Sequence, residues 1–214
     1  MSMALIDQLP ALPVLLPAAT AVLLLLIGDH GGGEYDLRRQ TLSGRVAIGS
    51  ALLGLIVAIQ LFLQASDGML MVYRMGEWPA PFGIVLVVDR LSAMMVLLTS
   101  LIALPVLLYA SGGWAAHGRY FYALFQFQLM GLNGAFVTGD LFNLFVFFEV
   151  LLIASYVLML HGLGRERLRV GVHYVVLNLS ASALFLIGLA LLYALTGTLN
   201  MADLAVRVPL VTGP

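Results

Sequence analysis

Runs of about twenty apolar residues recur from one end of this chain to the other, and each is long enough to cross the roughly 30 Å core of a bilayer as a helix. Six are read, at residues 10–28, 46–65, 91–110, 120–138, 141–160 and 170–195. None alternates polar with apolar, so a polytopic all-α helix bundle is favoured over a membrane barrel. The chain is 62% hydrophobic and 10% charged, where a soluble domain carries about a quarter charged residues. Asp7 stands where a cleaved signal would carry positive charge. The first run is also too long for a signal's apolar region, so it reads as a retained span.

The connections set an orientation. The first, third and fifth hold Arg38, Arg39, Arg45, Arg119, Arg165, Arg167 and Arg169, while the opposite face holds Arg74, Arg90 and Arg207. Seven against three puts the first set in the cytoplasm and the N-terminus outside. Residues 29–45 form a polar, glycine-rich connection, whereas Gly139 and Asp140 leave almost no loop between spans four and five. Residues 66–89 carry Tyr73, Trp78, Pro79, Pro81 and the β-branched run 84–88. They read either as an interfacial hairpin or as a loop whose end lengthens the third span. Trp78 and Tyr73 suit a membrane–water boundary, and Pro105 predicts a kink in the third span.

The absence of cysteine removes disulfides, thiolate metal sites and thiol chemistry. Lysine is absent too, and all ten basic residues are arginine. No phosphate-binding glycine loop, His-Glu-x-x-His metal motif or Gly-x-Ser-x-Gly elbow occurs. His30, His117, His161 and His173 lie far apart. Neither a cofactor, a metal nor a nucleic-acid partner is expected, and an intramembrane hydrolase is unsupported.

Glu149 stands almost midway along the fifth run, inside Phe145-Val146-Phe147-Phe148-Glu149-Val150-Leu151-Leu152. A charge at that depth costs about 2.5–3.5 kcal/mol on insertion scales, so its carboxyl faces the bundle interior, a wet cavity or a partner. Desolvation raises such a pKa and a nearby cation lowers it. A carboxyl balanced between the two exchanges protons near neutrality; the plainer alternative is a protonated Glu bonded to a neighbouring helix. His173 reads either as a proton relay or as an interfacial residue beside Arg169. Asn178, Ser180 and Ser182 read as helix–helix bonds more than relay members. Gln126, Gln128 and Asn133 pose the same choice, with Asn133 the deepest and able to hydrate a path. Asn143 reads as a packing or boundary residue, and Asp89 and Arg90 as solvated boundary residues.

Three stretches carry a resemblance: Val88-Asp89-Arg90-Leu91-Ser92-Ala93, residues 140–149 (Asp140 to Glu149), and Leu192-Tyr193-Ala194-Leu195-Thr196-Gly197-Thr198-Leu199-Asn200. Together they resemble the antiporter-like proton-translocating subunits of respiratory complex I, membrane-bound hydrogenases and Mrp-type monovalent cation/proton antiporters. The complex I branch usually has a proline soon after the glutamate, and residues 150–156 contain none. That, with Thr196-Gly197-Thr198-Leu199-Asn200, points to the branch of the Mrp D-type subunits. The resemblance implies a bundle of about fourteen helices with two inverted repeats and broken helices. It implies proton transfer by the glutamate matching Glu149, with lysines on later helices as its charge partners. This chain ends at Pro214 without a lysine, which reads as the N-terminal part of that fold: a three-helix region at 1–110 and the truncated start of the first repeat at 111–214. The resemblance implies a transporter subunit rather than an enzyme, with other antiporter subunits, lipid, protons and monovalent cations such as Na+ as partners, in a cell inner (plasma) membrane. A redox-driven protein of a respiratory membrane arm and an inactive truncated scaffold are the alternatives.

Overall fold

The computed structural model describes residues 8–28, 34–78, 83–162 and 164–211. Asp7, Asp29, His30, Pro79, Pro81, the last three residues and the side chains of Arg39 and Arg165 lie outside that description. Seven α-helices and one β-hairpin make up the described chain, in the order α1 (Leu12–Ile27), α2 (Glu34–Ser66), β1 (Met71–Arg74), β2 (Val85–Val88), α3 (Arg90–Ser111), α4 (Phe121–Val137), α5 (Leu141–Met159), α6 (Arg165–Thr196) and α7 (Met201–Arg207). A 3-10 turn at Leu9–Ala11 leads into α1.

Each of the six apolar runs is a helix. Five are both long and apolar enough to cross a membrane. α4, with 17 residues, spans about 25 Å at about 1.5 Å per residue. Two helices begin earlier than the apolar pattern does. α2 starts at Glu34 and α6 at Arg165, because charged and polar helix formers continue the helix past the bilayer, where glutamate, arginine and glutamine cost little. Residues 34–45 are therefore helix, and the polar connection before α2 shrinks accordingly. α3 passes through Pro105.

The stretch between α2 and α3 is a hairpin. β1 and β2 pair antiparallel, with Met71 opposite Val88 and Arg74 opposite Val85. Leu86 and Val88 point into the core, while Trp78 is exposed.

The bundle is organised around α4, which packs on α1, α3 and α5 and buries nine of its seventeen residues. Its glycines permit this. A Cβ at Gly131 would meet Leu151 N at 2.8 Å and Phe147 O at 2.9 Å, and one at Gly134 would overlap the Phe147 ring. Helices in lipid gain little from hydrophobicity against one another, so close backbone approach through small residues is what binds them. A polar bond joins α4 to α1. Pro17 has no N–H to give to the Pro13 carbonyl one turn back, and Asn133 Nδ2 donates to that carbonyl at 2.9 Å. α6 packs mainly on α5, and only 6% of its most apolar stretch is buried, against 44% for α1.

At the arginine-rich end, two connections are tied together. His161, buried after α5, places Nε2 3.1 Å from Trp114 O in the α3–α4 connection. Arg167 lies over the Trp114 ring, 5.4 Å from its centroid, and donates to His161 O.

Replacing Gly131 by Ala is expected to push α5 off α4 and cost about 1–3 kcal/mol, the usual range for overpacking. Gly49, where a Cβ meets nothing within 4 Å, is the control: its alanine variant keeps or raises the thermal midpoint in detergent, while the Gly131 variant lowers it.

Candidate functional site

Glu149 is the ninth of the nineteen residues of α5, about 12 Å from the first at about 1.5 Å per residue. It is half-buried, on the seam with α6. Ser182, on α6, donates its hydroxyl proton to Glu149 Oε1. On one side of this pair the seam is aromatic, with Phe185 against Phe145 and Phe148 at ring separations of 6.2 and 6.3 Å. On the other side, toward the arginine-rich end, it is polar. Asn178 is one turn before Ser182 and Tyr156 two turns after Glu149, so each faces the same seam. Tyr156 meets Tyr174 edge-on at 5.6 Å. Among the described residues, neither the Tyr156 hydroxyl nor Asn178 Nδ2 has a hydrogen-bond partner, though both atoms are buried.

Among the described residues Glu149 has no cation within ion-pairing distance; the ion pair they do form is Arg207 with Asp203, at 3.0 Å. No group of three or more His, Asp or Glu residues placed to hold a metal occurs among them.

The structure brings Ser182 to Glu149 but not His173. His173 is exposed, with Nδ1 2.9 Å from Arg169 O. It precedes Ser182 by nine residues on the same helix, about 13 Å along the axis. Gln126 and Asn133 are buried among α1–α4 and bond to backbone carbonyls of Ala47 and Pro13, away from the Glu149 seam.

The other polar residues of the three sequence stretches hold the opposite end together. Asp140 caps α5, accepting from Asn143 N at 2.9 Å, and Asn143 donates its side-chain amide to Thr138 Oγ1 at 2.9 Å. Gly139 N donates to Val85 O at 2.8 Å, Leu141 N to Leu199 O at 2.9 Å and Met201 N to Gly139 O at 2.9 Å. Asn200 caps α7 by accepting from Ala202 N and Asp203 N. β2, the α4–α5 link and the α6–α7 link are thereby joined. Asp89 heads α3 in a capping box: Oδ1 accepts from Ser92 N at 2.7 Å, and Asp89 N donates to Ser92 Oγ at 2.8 Å. Arg90 Nε donates to Ala65 O at 3.3 Å. Both residues are exposed at the helix boundary, as read, and each also bonds to a helix end, whereas Asn143 belongs to the network of Thr138 and Asp140. An aspartate three residues before a serine carried the Asp89 signal; the bridge between Asp140 and Asn200 had none.

Residues 138–211, which include α5, α6 and Glu149, match the family described as NADH:quinone oxidoreductase/Mrp antiporter, transmembrane. Over 208 residues, or 95% of its length, the chain is 50% identical to the probable K+/H+ antiporter D-type subunit of Rhizobium meliloti, covering 37% of it. It is 44% identical over 94% of its length to the Na+/H+ antiporter D-type subunit of Alkalihalophilus pseudofirmus, covering 40% of that protein. The fold superposes on a chain of the Mrp complex of a Dietzia species with a TM-score of 0.82 and 31% identity, over 98% of this chain and 40% of that one. Residues 138–211 carry this antiporter-like membrane family's match, and the similarity to D-type subunits runs along nearly the whole chain. The chain is a multi-pass membrane protein, and it spans about two fifths of the length of these relatives. A chain of an archaeal membrane-bound sulfane sulfur reductase gives a TM-score of 0.85 at 29% identity, over 96% of this chain and 41% of that one.

The Ser92 amide and hydroxyl that bond Asp89 hold its carboxyl below the ordinary 3.8. The cap's contribution is therefore full above that value and is lost as pH falls through the lower folded-state value. Asp89→Ala is expected to cost about 1 kcal/mol at pH 7. Thermal melts of the two proteins in detergent should converge progressively as pH is lowered below 3.8.

Proposed function

We propose that this chain is part of a monovalent cation/proton antiporter of the Mrp kind, within its D-type subunit, and that Glu149 carries protons there. The observation that carries this reading is a carboxyl halfway through a membrane helix, held by a serine and with no cation beside it among the described residues. Ionisable side chains at that depth are rare and mark proton and ion pathways, and the Ser182 hydroxyl gives this one a fixed hydrogen-bond partner on the neighbouring helix.

The polar half of the seam gives the proton a direction. Asn178, Tyr156 and Tyr174 run from Glu149 toward the arginine-rich end, read as cytoplasmic by the positive-inside rule. His173 precedes Tyr174 in sequence and is exposed toward that end, where it is offered as a relay. The cation discharging Glu149 would come from parts of the complex outside this chain's described residues. The relatives' names supply Na+ or K+ as the counter-transported ion and other subunits as partners; a cell inner membrane is the location this reading implies.

The likeness to the sulfane sulfur reductase complex favours a second reading, in which redox chemistry in other subunits drives the same proton movement. Neighbouring genes for small antiporter subunits support the first reading; genes for iron–sulfur or quinone-binding subunits support the second.

Glu149→Gln in the complete complex is expected to lower proton-coupled cation exchange in everted vesicles by about tenfold or more, in line with a relay losing its titrating group, with assembly unchanged. Exchange at the wild-type rate would sink the role of Glu149. His173→Ala is expected to lower the rate less, measured in the same vesicles.

A further inference from the structure

The first four helices contain two apolar cores, one at each end. Leu9, Leu61, Leu86, Val88, Val96 and Val137 belong to the core on the hairpin side; Leu24, Leu107, Phe121 and Tyr122 belong to the core at the arginine-rich end. Polar residues lie between them. Pro13, Pro17, Ser50, Gly54, Gln126 and Asn133 are among those lining a cavity with about 20 Å³ in which the centre of a water molecule can sit. One water needs about 10–15 Å³ on that measure.

The amides at this cavity are half used. Gln126, 1% exposed, donates Nε2 to Ala47 O at 3.1 Å, and Asn133, 7% exposed, donates Nδ2 to Pro13 O at 2.9 Å. Among the described residues neither Gln126 Oε1 nor Asn133 Oδ1 receives a hydrogen bond. Thr20 Oγ1 gives its one proton to Leu16 O at 2.8 Å, so across the 2.8 Å to Ser50 Oγ it is Ser50 that donates. Two open amide acceptors face a space of the right size, and an unbonded buried acceptor is costly. We infer that Gln126 and Asn133 bind ordered water inside the membrane, on the far side of α4 from the Glu149 seam; a water has two protons, one for each oxygen. A cation does not suit the site, because no ionised side chain lines it and burying an uncompensated charge is strongly unfavourable.

Gly54 gives a test whose sign separates the outcomes. A Cβ there would meet nothing nearer than Leu16 Cδ2 at 3.9 Å, so Gly54→Ala fits without strain and fills cavity space. In a dry cavity the alanine improves the helix and raises the thermal midpoint. In a wet one it displaces water, strands the amide oxygens and lowers the midpoint by several degrees, the result expected. An unchanged or raised midpoint overturns the proposal. A second measurement does not depend on the variant's folding: water-edited solid-state NMR of the reconstituted wild-type protein, with Gln and Asn side-chain amides labelled. Rapid magnetisation transfer from water to the Gln126 and Asn133 amides is expected, and its absence overturns the proposal. So does a midpoint that rises with Na+ over choline and loses that rise in Gly54→Ala, which would assign the cavity to a cation.

Discussion

A peptide carbonyl left open inside a bilayer has no solvent to turn to, and every helix that crosses one must settle its backbone bonds within the protein. Pro17 opens such a carbonyl at Pro13, and Asn133 closes it from another helix. That bond requires α4 to lie against α1, and Gly131 and Gly134 let α4 lie equally close to α5. The membrane's refusal to solvate backbone thus fixes the central helix, and through α5 it fixes where Glu149 faces.

Much of this is legible from residue order, for physical reasons that differ by element. The apolar pattern puts the third span at 91–110 and the helix is Arg90–Ser111, because the change from water to hydrocarbon is abrupt there and Asp89 marks it with a cap. α5 is as sharp, with Asp140 at its head. The pattern makes α2 and α6 too short, since hydropathy reports where the bilayer ends and not where the helix does. Residues 66–89 are ambiguous in sequence because five β-branched and apolar residues suit a strand or a helix end equally; pairing with residues 71–74 decides it.

The candidate site divides along the same line. Glu149 declares itself through cost alone, since a carboxyl inside an apolar run is rare whatever surrounds it. Ser182 does not. Its tie to Glu149 depends on how α5 and α6 register across their connection, which composition does not encode, and in sequence it is one of several polar residues on α6. His161, in sequence only an isolated loop histidine, is buried under Trp114 and Arg167 by a contact between distant connections. Gln126 and Asn133 stand out as polar, but only the fold separates them from the Glu149 seam.

The bridge between Asp140 and Asn200 has a mechanical meaning. It ties the start of α5 to the segment that follows α6, while at the other end a short link joins the same two helices. The pair is closed like a chain link, so α5 and α6 cannot slide past one another like pistons. On the proposed role of Glu149, a proton arriving or leaving would be answered by side chains turning in place or by movement of whatever packs on the outer face of α6. Strain from such a step would be carried sideways, out of this helix pair and into its surroundings.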